Sequence, residues 1–186
     1  IGGKRDLSNL STANFHGNLC MTNKAGITAF ANLAKKFFDD NPDYDIYPVV
    51  PQDGMYKVCE CENCQKLVSP HLGEKGKFSN LVYHHAISIA KELKRTHPNK
   101  YIGVLAYEKY FNPPELKFPD NLVVCICYRR QDLRDLQKKK NIENIIKAYK
   151  IKNAKILVWV YELFNHIPPM RGIPVCYPNI AKENIN

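Results

Sequence analysis

Strand-length apolar runs constrain the fold of this chain more than any other feature. Three of them cover residues 101–107, 122–128 and 155–161, with the sequences Tyr-Ile-Gly-Val-Leu-Ala-Tyr, Leu-Val-Val-Cys-Ile-Cys-Tyr and Lys-Ile-Leu-Val-Trp-Val-Tyr. Their apolar residues do not alternate with polar ones, which is typical of strands buried on both faces. A fourth, shorter run at residues 45–51 also predicts a strand, although its two prolines are unfavourable in a central strand.

Amphipathic helices are predicted around these strands. Residues 26–38 and 141–151 carry apolar side chains at three- and four-residue steps. Residues 79–95 do the same and begin at Ser79, a favourable N-cap residue. The resulting order is helix, strand, helix, strand, strand, helix, strand. Buried strands separated by amphipathic helices predict a parallel sheet covered by helices.

Four strands and three helices amount to about half of a (β/α)8 barrel, which usually needs roughly 250 residues. We therefore predict an α/β fold, a partial (β/α)8 TIM barrel comprising roughly its middle-to-C-terminal half. The 186 residues suit a single segment. We expect a loop-rich entry at residues 1–25, βα units at 26–165 and a proline-rich tail at 166–186. No glycine-rich turn of the dinucleotide-binding type follows a strand, which disfavours a nucleotide-binding sheet.

The net charge of +9 suggests an acidic partner such as nucleic acid. However, the lysines are spread over many segments, and only Lys138, Lys139 and Lys140 form a tight run. We therefore attribute them to solvated helix faces and expect no nucleic-acid partner. There is no run of about 18 apolar residues, so we also expect no membrane span. Since the chain opens on Ile1, we expect a mature or excised piece whose export signal lies outside it.

Acidic residues follow three of the predicted strands. Asp53 comes after the first, Glu108 after the second and Glu162 after the last. Barrel enzymes build their sites at the carboxyl ends of the strands, so these three are the candidate catalytic residues. Two carboxylates about 5 Å apart suit a retaining glycosidase, and a wider gap suits an inverting one. The alternative is that each acid is a helix cap or lies in a solvated turn.

Aromatic side chains and an arginine stand beside these acids. Tyr107, Trp159 and Tyr161 are candidate sugar-binding residues, because ring planes pack on the apolar faces of pyranoses. Arg129 follows the third strand and could hold a carboxylate through two hydrogen bonds. Trp159 and Tyr161 lie on the same side of their strand, since side chains alternate with period two. Core packing is an equally good explanation for Trp159, and a solvated loop for Arg129.

Cys59, Cys61 and Cys64 form the most distinctive local pattern, a single C-x-C-x-x-C motif. Three thiols could ligate zinc if a fourth ligand arrived, and His71, Cys20 and Cys176 are the candidates for that ligand. The alternatives are a disulfide that pins the loop, thiols that pack it, and redox chemistry. Because no second paired motif is present, we predict no metal and no cofactor.

Several short segments, taken in order, resemble a known family. They are Gly-Asn-Leu-Cys-Met-Thr-Asn at 17–23, Pro-Gln-Asp-Gly at 51–54 with the cysteine motif, the helix at 80–89, Leu-Ala-Tyr at 105–107, Pro-Asp-Asn-Leu-Val-Val at 119–124, Leu-Val-Trp-Val-Tyr at 157–161 and Pro-Val-Cys-Tyr-Pro-Asn-Ile at 174–180. The chain resembles family 4838 of the domains of unknown function, which includes glycoside hydrolase family 163. Asp53, Tyr107, Trp159 and Tyr161 fall on the family pattern, whereas Glu108 and Glu162 stand at more variable positions.

The resemblance implies a barrel-like catalytic domain, usually in exported bacterial proteins that degrade glycans. Characterised relatives are endo-acting β-N-acetylglucosaminidases on complex N-glycans. We therefore expect a glycoside hydrolase segment with a carbohydrate partner, located outside the cell, in the periplasm or at the cell surface. One alternative is a non-catalytic carbohydrate-binding or degenerate barrel. Another is a basic nucleic-acid module held together by zinc.

Overall fold

The computed structural model describes residues 19–53 and 57–161. The helices of this part are α1 (Lys24–Asp40), α2 (Glu62–Gln65), α3 (Ser79–Lys94) and α4 (Leu136–Ile151). The strands are β1 (Ile46–Pro48), β2 (Tyr101–Ala106), β3 (Leu122–Arg129) and β4 (Lys155–Tyr161), and 3-10 turns occupy Pro70–Leu72, Glu108–Tyr110 and Arg130–Arg134. None of these helices combines the length and the apolar character that a membrane crossing requires.

The strands form one sheet in the order β1-β2-β3-β4, and every neighbouring pair is parallel. The predicted parallel α/β sheet flanked by helices is therefore confirmed. The first predicted strand is shorter than expected and ends at Pro48. A proline has no backbone N–H, so the prolines at 48 and 51 limit the hydrogen bonds through which this edge strand could continue.

Helix α1 begins where the side chain of Asn23 caps it, with Asn23 Oδ1 accepting from the Gly26 N–H at 3.0 Å. Its buried residues are Ile27, Ala31, Ala34 and Phe38, all of which belong to the predicted apolar face. This face packs against α3, and Phe38 also contacts Tyr47 of β1. The three- and four-residue periodicity therefore predicted both the helix and the side that it buries.

Helix α3 is the centre of the core. Its predicted inward residues are all buried, and so are others around its circumference: Leu81, Val82, Tyr83, Ala86, Ile87, Ile89, Ala90 and Leu93. Ser79 is not the N-cap, a position that Phe78 takes. Instead, Ser79 is fully buried and its hydroxyl donates to the backbone carbonyl of Asn112 at 2.6 Å. That bond ties the start of α3 to the loop between β2 and β3.

Helix α4 begins at Leu136, five residues before the predicted start at 141. The Asp135 carboxylate caps it by accepting from the backbone N–H groups of Gln137 and Lys138. This first turn was not predicted from the sequence, because the run of lysines there carries no apolar periodicity. Farther along, the buried Tyr149 contacts Tyr83 of α3, so the two helices cover the same face of the sheet.

Candidate functional site

A pocket of about 900 Å³ opens where β2, β3 and β4 end. The strands and the turn after β2 contribute Tyr107, Glu108, Lys109, Cys127, Tyr128, Arg129 and Tyr161. The surrounding segments contribute Asp53, Glu74, Lys75, Phe111, Asp132, Gln137, Lys138, Asn141 and Ile142. The pocket therefore lies at the carboxyl edge of the sheet, where a parallel fold gathers residues from several strands.

Most of the site residues predicted from the sequence line this pocket, namely Asp53, Tyr107, Glu108, Arg129 and Tyr161. Trp159 does not line it. Its ring lies beside that of Tyr161, with centroids 6.4 Å apart, and 57% of the residue is exposed. Glu162 lies outside the described residues. Asp53 and Glu108, which come from different loops of the chain, thus face one common space.

Tyr107 and Tyr161 both line the pocket, and their side chains are hydrogen-bonded to each other. Burial, together with the nearby Tyr161, Asp53 and Glu108, raises the pKa of Tyr107 to about 12. Burial likewise raises the pKa of Tyr161. Both phenols therefore stay protonated at neutral pH. Because one of the two O–H groups is used in the bond between them, the other remains to donate to a hydroxyl group of a polar ligand beside the carboxylates.

Glu108 has an unusual backbone conformation, with φ at +45°. This left-handed conformation costs a residue with a Cβ roughly 1–2 kcal/mol. Glu108 follows β2 directly and begins the turn Glu108–Tyr110, whose last residue is buried. Strain of this kind persists only where the surroundings impose it, and it concentrates at functional sites. The backbone strain therefore distinguishes Glu108 from an ordinary surface acid.

Arg129 and Asp132 form a bidentate ion pair at the pocket wall. Arg129 donates from Nε to Asp132 Oδ2 at 2.9 Å and from Nη2 to Oδ1 at 3.1 Å. Lys138 Nζ approaches the same carboxylate at 3.4 Å. The guanidinium is therefore held in one orientation. Asp132 was missed in the sequence because it lies in the turn Arg130–Arg134 rather than directly at a strand end.

The charged residues of the described pocket lining are balanced. Four are acidic (Asp53, Glu74, Glu108 and Asp132) and four are basic (Lys75, Lys109, Arg129 and Lys138). This contrasts with the net charge of +9 for the whole chain. A pocket lining with no excess charge of either sign favours a neutral polar ligand over a polyanion.

Four cysteines form a second cluster, and three of them lie in the segment that follows Asp53. The sulfur atoms of Cys20, Cys59, Cys61 and Cys64 all lie within 4.8 Å of one another, and the thiols are free. Cys20 is thus a predicted candidate that joins the motif, whereas Cys176, another candidate, lies outside the described residues. His71 instead contacts Glu115, with Nε2 3.1 Å from Oε1. Four converging thiols could hold a metal ion.

The predicted family resemblance is confirmed, because the model of the family "Domain of unknown function (DUF4838)" matches residues 3–186. The chain belongs to this family. Neither a curated protein nor a solved structure shows significant similarity to the chain.

Proposed function

We propose that this chain is a catalytic-domain segment of a glycoside hydrolase and that the pocket at the carboxyl edge of the sheet binds a glycan. The observation that carries the proposal is the joint presence of Asp53, Glu108, Tyr107 and Tyr161 around one pocket of about 900 Å³. Glycosidases use two carboxyl groups, one to protonate the leaving oxygen and one to attack or to activate water. Phenol rings and hydroxyls supply sugar contacts beside them.

The size and the charge of the pocket support a saccharide ligand. Ligand sites typically enclose about 300–1,000 Å³, so this pocket can hold more than one sugar ring. The described lining mixes aromatic faces with paired ions and carries no net charge. Sugars are neutral, amphipathic and rich in hydroxyls, and this mixture complements them.

We further infer that the sheet is a sector of a (β/α)8 barrel. Its strands follow one another in sequence order, whereas in doubly wound sheets the order reverses at a switch point. Helices α3 and α4 contact each other on one face. On β4, Leu157, Val158 and Trp159 are 49%, 53% and 57% exposed, which leaves apolar side chains uncovered on both faces of this strand. In a closed barrel, neighbouring elements cover both faces of every strand.

The family resemblance extends the proposal to a substrate class. Family 4838 includes endo-β-N-acetylglucosaminidases on complex N-glycans, and we propose the same substrate for the whole protein, acting outside the cytoplasm. Asp53 is the first candidate for a catalytic acid, because both its position and the family pattern support it. Glu108 and Glu162 are the candidates for its partner, and Arg129 would contact the substrate.

An assay of glycan release tests this function. The protein is incubated with an N-glycosylated protein, and released oligosaccharides are measured by mass spectrometry. We expect Asp53→Asn, Glu108→Gln and Glu162→Gln to identify the acid pair, because each true member lowers the rate by about 100-fold or more. Asp43→Asn and Glu143→Gln are matched controls, since both residues are exposed and lie outside the pocket lining.

Two other outcomes would contradict the proposal. Full activity in all three variants would place the chemistry outside this pocket. Glycan binding without turnover by the unmodified protein, measured by calorimetry, would indicate a non-catalytic carbohydrate-binding barrel instead. The anomer that forms first, followed by NMR, distinguishes a retaining from an inverting mechanism.

A further inference from the structure

We propose that Cys20, Cys59, Cys61 and Cys64 form a structural zinc site with four thiolate ligands. Their sulfur atoms converge within 4.8 Å, although Cys20 precedes Cys61 by 41 residues in the chain. Two separate loops therefore meet at this point. The proposal is independent of the glycoside hydrolase function, because it concerns the ligands and their geometry alone.

The distances fit a single tetrahedral ion. Cys20 Sγ lies 3.7 Å from both Cys61 Sγ and Cys64 Sγ. Four sulfurs at the usual zinc–sulfur distance of about 2.3 Å stand about 3.8 Å apart along each edge of the tetrahedron. A single ion therefore fits the space between the sulfurs after small adjustments, whereas a multi-iron cluster would push the thiolates farther apart.

The surroundings of the sulfur atoms suit thiolates. The backbone N–H groups of Cys61, Cys64 and Thr22 donate to the sulfurs of Cys59, Cys61 and Cys64, respectively. The Thr22 hydroxyl lies 3.2 Å from Cys64 Sγ and 3.6 Å from Cys20 Sγ. Donors around the ligands are what a structural metal site needs in order to orient its thiolates and to balance their charge.

Zinc is the ion that this ligand set favours. Thiolates select soft or borderline ions, and a tetrahedral set of four sulfurs is typical of zinc or iron. Of these two, the divalent zinc ion binds more strongly to a given site. Four closed positions leave no place for water or substrate, so the role is structural rather than catalytic.

The positions of the four cysteines indicate which segments the ion would hold together. Cys20 precedes the Asn23 cap of α1, and Cys59 stands six residues after Asp53. Zinc would thus fasten the start of α1 to the loop that follows the candidate acid.

Metal analysis of the full chain tests the proposal. Protein that has been stripped of metal under reducing, anaerobic conditions is offered equal amounts of Zn²⁺ and Fe²⁺ and is then analysed by mass spectrometry. We expect about one zinc per chain and the release of thiol protons on binding. Cobalt substitution should give the visible absorption of a tetrahedral thiolate site.

Three variants make the test specific. Cys64→Ser should weaken zinc binding by more than about tenfold. Cys20→His should keep the ion but shift the cobalt spectrum, because one nitrogen replaces one sulfur. Cys125→Ser is the matched control, since Cys125 is a free thiol in β3 outside the cluster. It should bind zinc like the unmodified chain.

Several results would overturn the assignment. One is the absence of zinc from the unmodified chain together with a featureless cobalt spectrum. Another is preferential uptake of iron. A third is a pair of disulfides among the four cysteines in unreduced protein, found by peptide mapping. None of these measurements depends on glycan turnover, so failure here and failure of the proposed hydrolase function are distinguishable.

Discussion

The phenolic oxygens of Tyr83 and Tyr149 lie 2.7 Å apart in the interior between α3 and α4. Both residues have 0% relative exposure, and burial raises the pKa of each phenol above its usual range. Tyr149 also donates to the backbone carbonyl of Phe111 at 3.0 Å, and Phe111 lines the pocket. The tyrosine pair therefore connects the helix layer to the pocket wall.

Removing the Tyr149 hydroxyl should destabilise the fold. Tyr149→Phe leaves the buried carbonyl of Phe111 without this donor, and we expect the free energy of unfolding to fall by about 1–3 kcal/mol. Tyr83→Phe should cost less, and the double variant should cost less than the sum, because the two residues share one bond. Urea denaturation measures all three. Tyr44→Phe is the control, since Tyr44 is 60% exposed. If the losses of free energy in Tyr83→Phe and Tyr149→Phe simply added up in the double variant, the shared bond would be contradicted.

Glycine at position 108 should relieve the backbone strain at the pocket. The left-handed conformation costs roughly 1–2 kcal/mol for a residue with a Cβ, and glycine loses about 0.5–1 kcal/mol of chain entropy instead. We therefore expect Glu108→Gly to raise the free energy of unfolding by up to about 1 kcal/mol, and to abolish glycan release if Glu108 is the partner of Asp53. Glu108→Ala is the matched control, because it removes the carboxylate and keeps the strain. If Glu108→Ala raised the free energy of unfolding as much as Glu108→Gly, the stabilisation would not come from relief of backbone strain.

Stability should depend on pH through His85. This residue is buried, its Nδ1 lies 3.0 Å from the Met21 carbonyl oxygen, and burial lowers its pKa. The unfolded chain therefore binds the proton more readily, so stability should fall as the pH drops from about 7.5 to about 5. His85→Gln should flatten this dependence in denaturation measured across that range. A smaller dependence on pH should remain in this variant, because burial also lowers the pKa of His84. An unchanged slope in His85→Gln would contradict this origin.

The elements that the sequence predicted are those whose pattern is local. Strands buried on both faces and helices with one apolar side carry their burial in their own residues, so β2, β3, β4, α1 and α3 were predicted within a few residues. The alternation in β4 also placed Trp159 and Tyr161 on one side. It did not show that only Tyr161 stands close enough to the strand end to line the pocket.

The relationships that the sequence could not predict depend on how distant segments meet. Cys20 was one of three predicted partners of the cysteine motif, and it is the packing of the loop before α1 that brings it to the cluster. Asp132 reaches the pocket because a 3-10 turn folds it back onto Arg129. Glu108 stands directly after β2, yet its left-handed backbone has no signature in the residue types around it. In each case the decisive information is a tertiary geometry rather than a periodicity.

Removing zinc should lower the thermal stability of the chain. An ion that binds the folded chain and not the unfolded one adds its binding free energy to stability, about 4 kcal/mol when free zinc is roughly 1,000 times its Kd. For a domain of this size that corresponds to a fall in Tm on the order of 10 °C. We expect a strong zinc chelator to cause this fall in calorimetry and added zinc to reverse it. The same chelator should leave the Tm of Cys64→Ser unchanged, because that variant has already lost the ion. A chelator effect of equal size in both proteins would mean that the cluster contributes no metal-dependent stability.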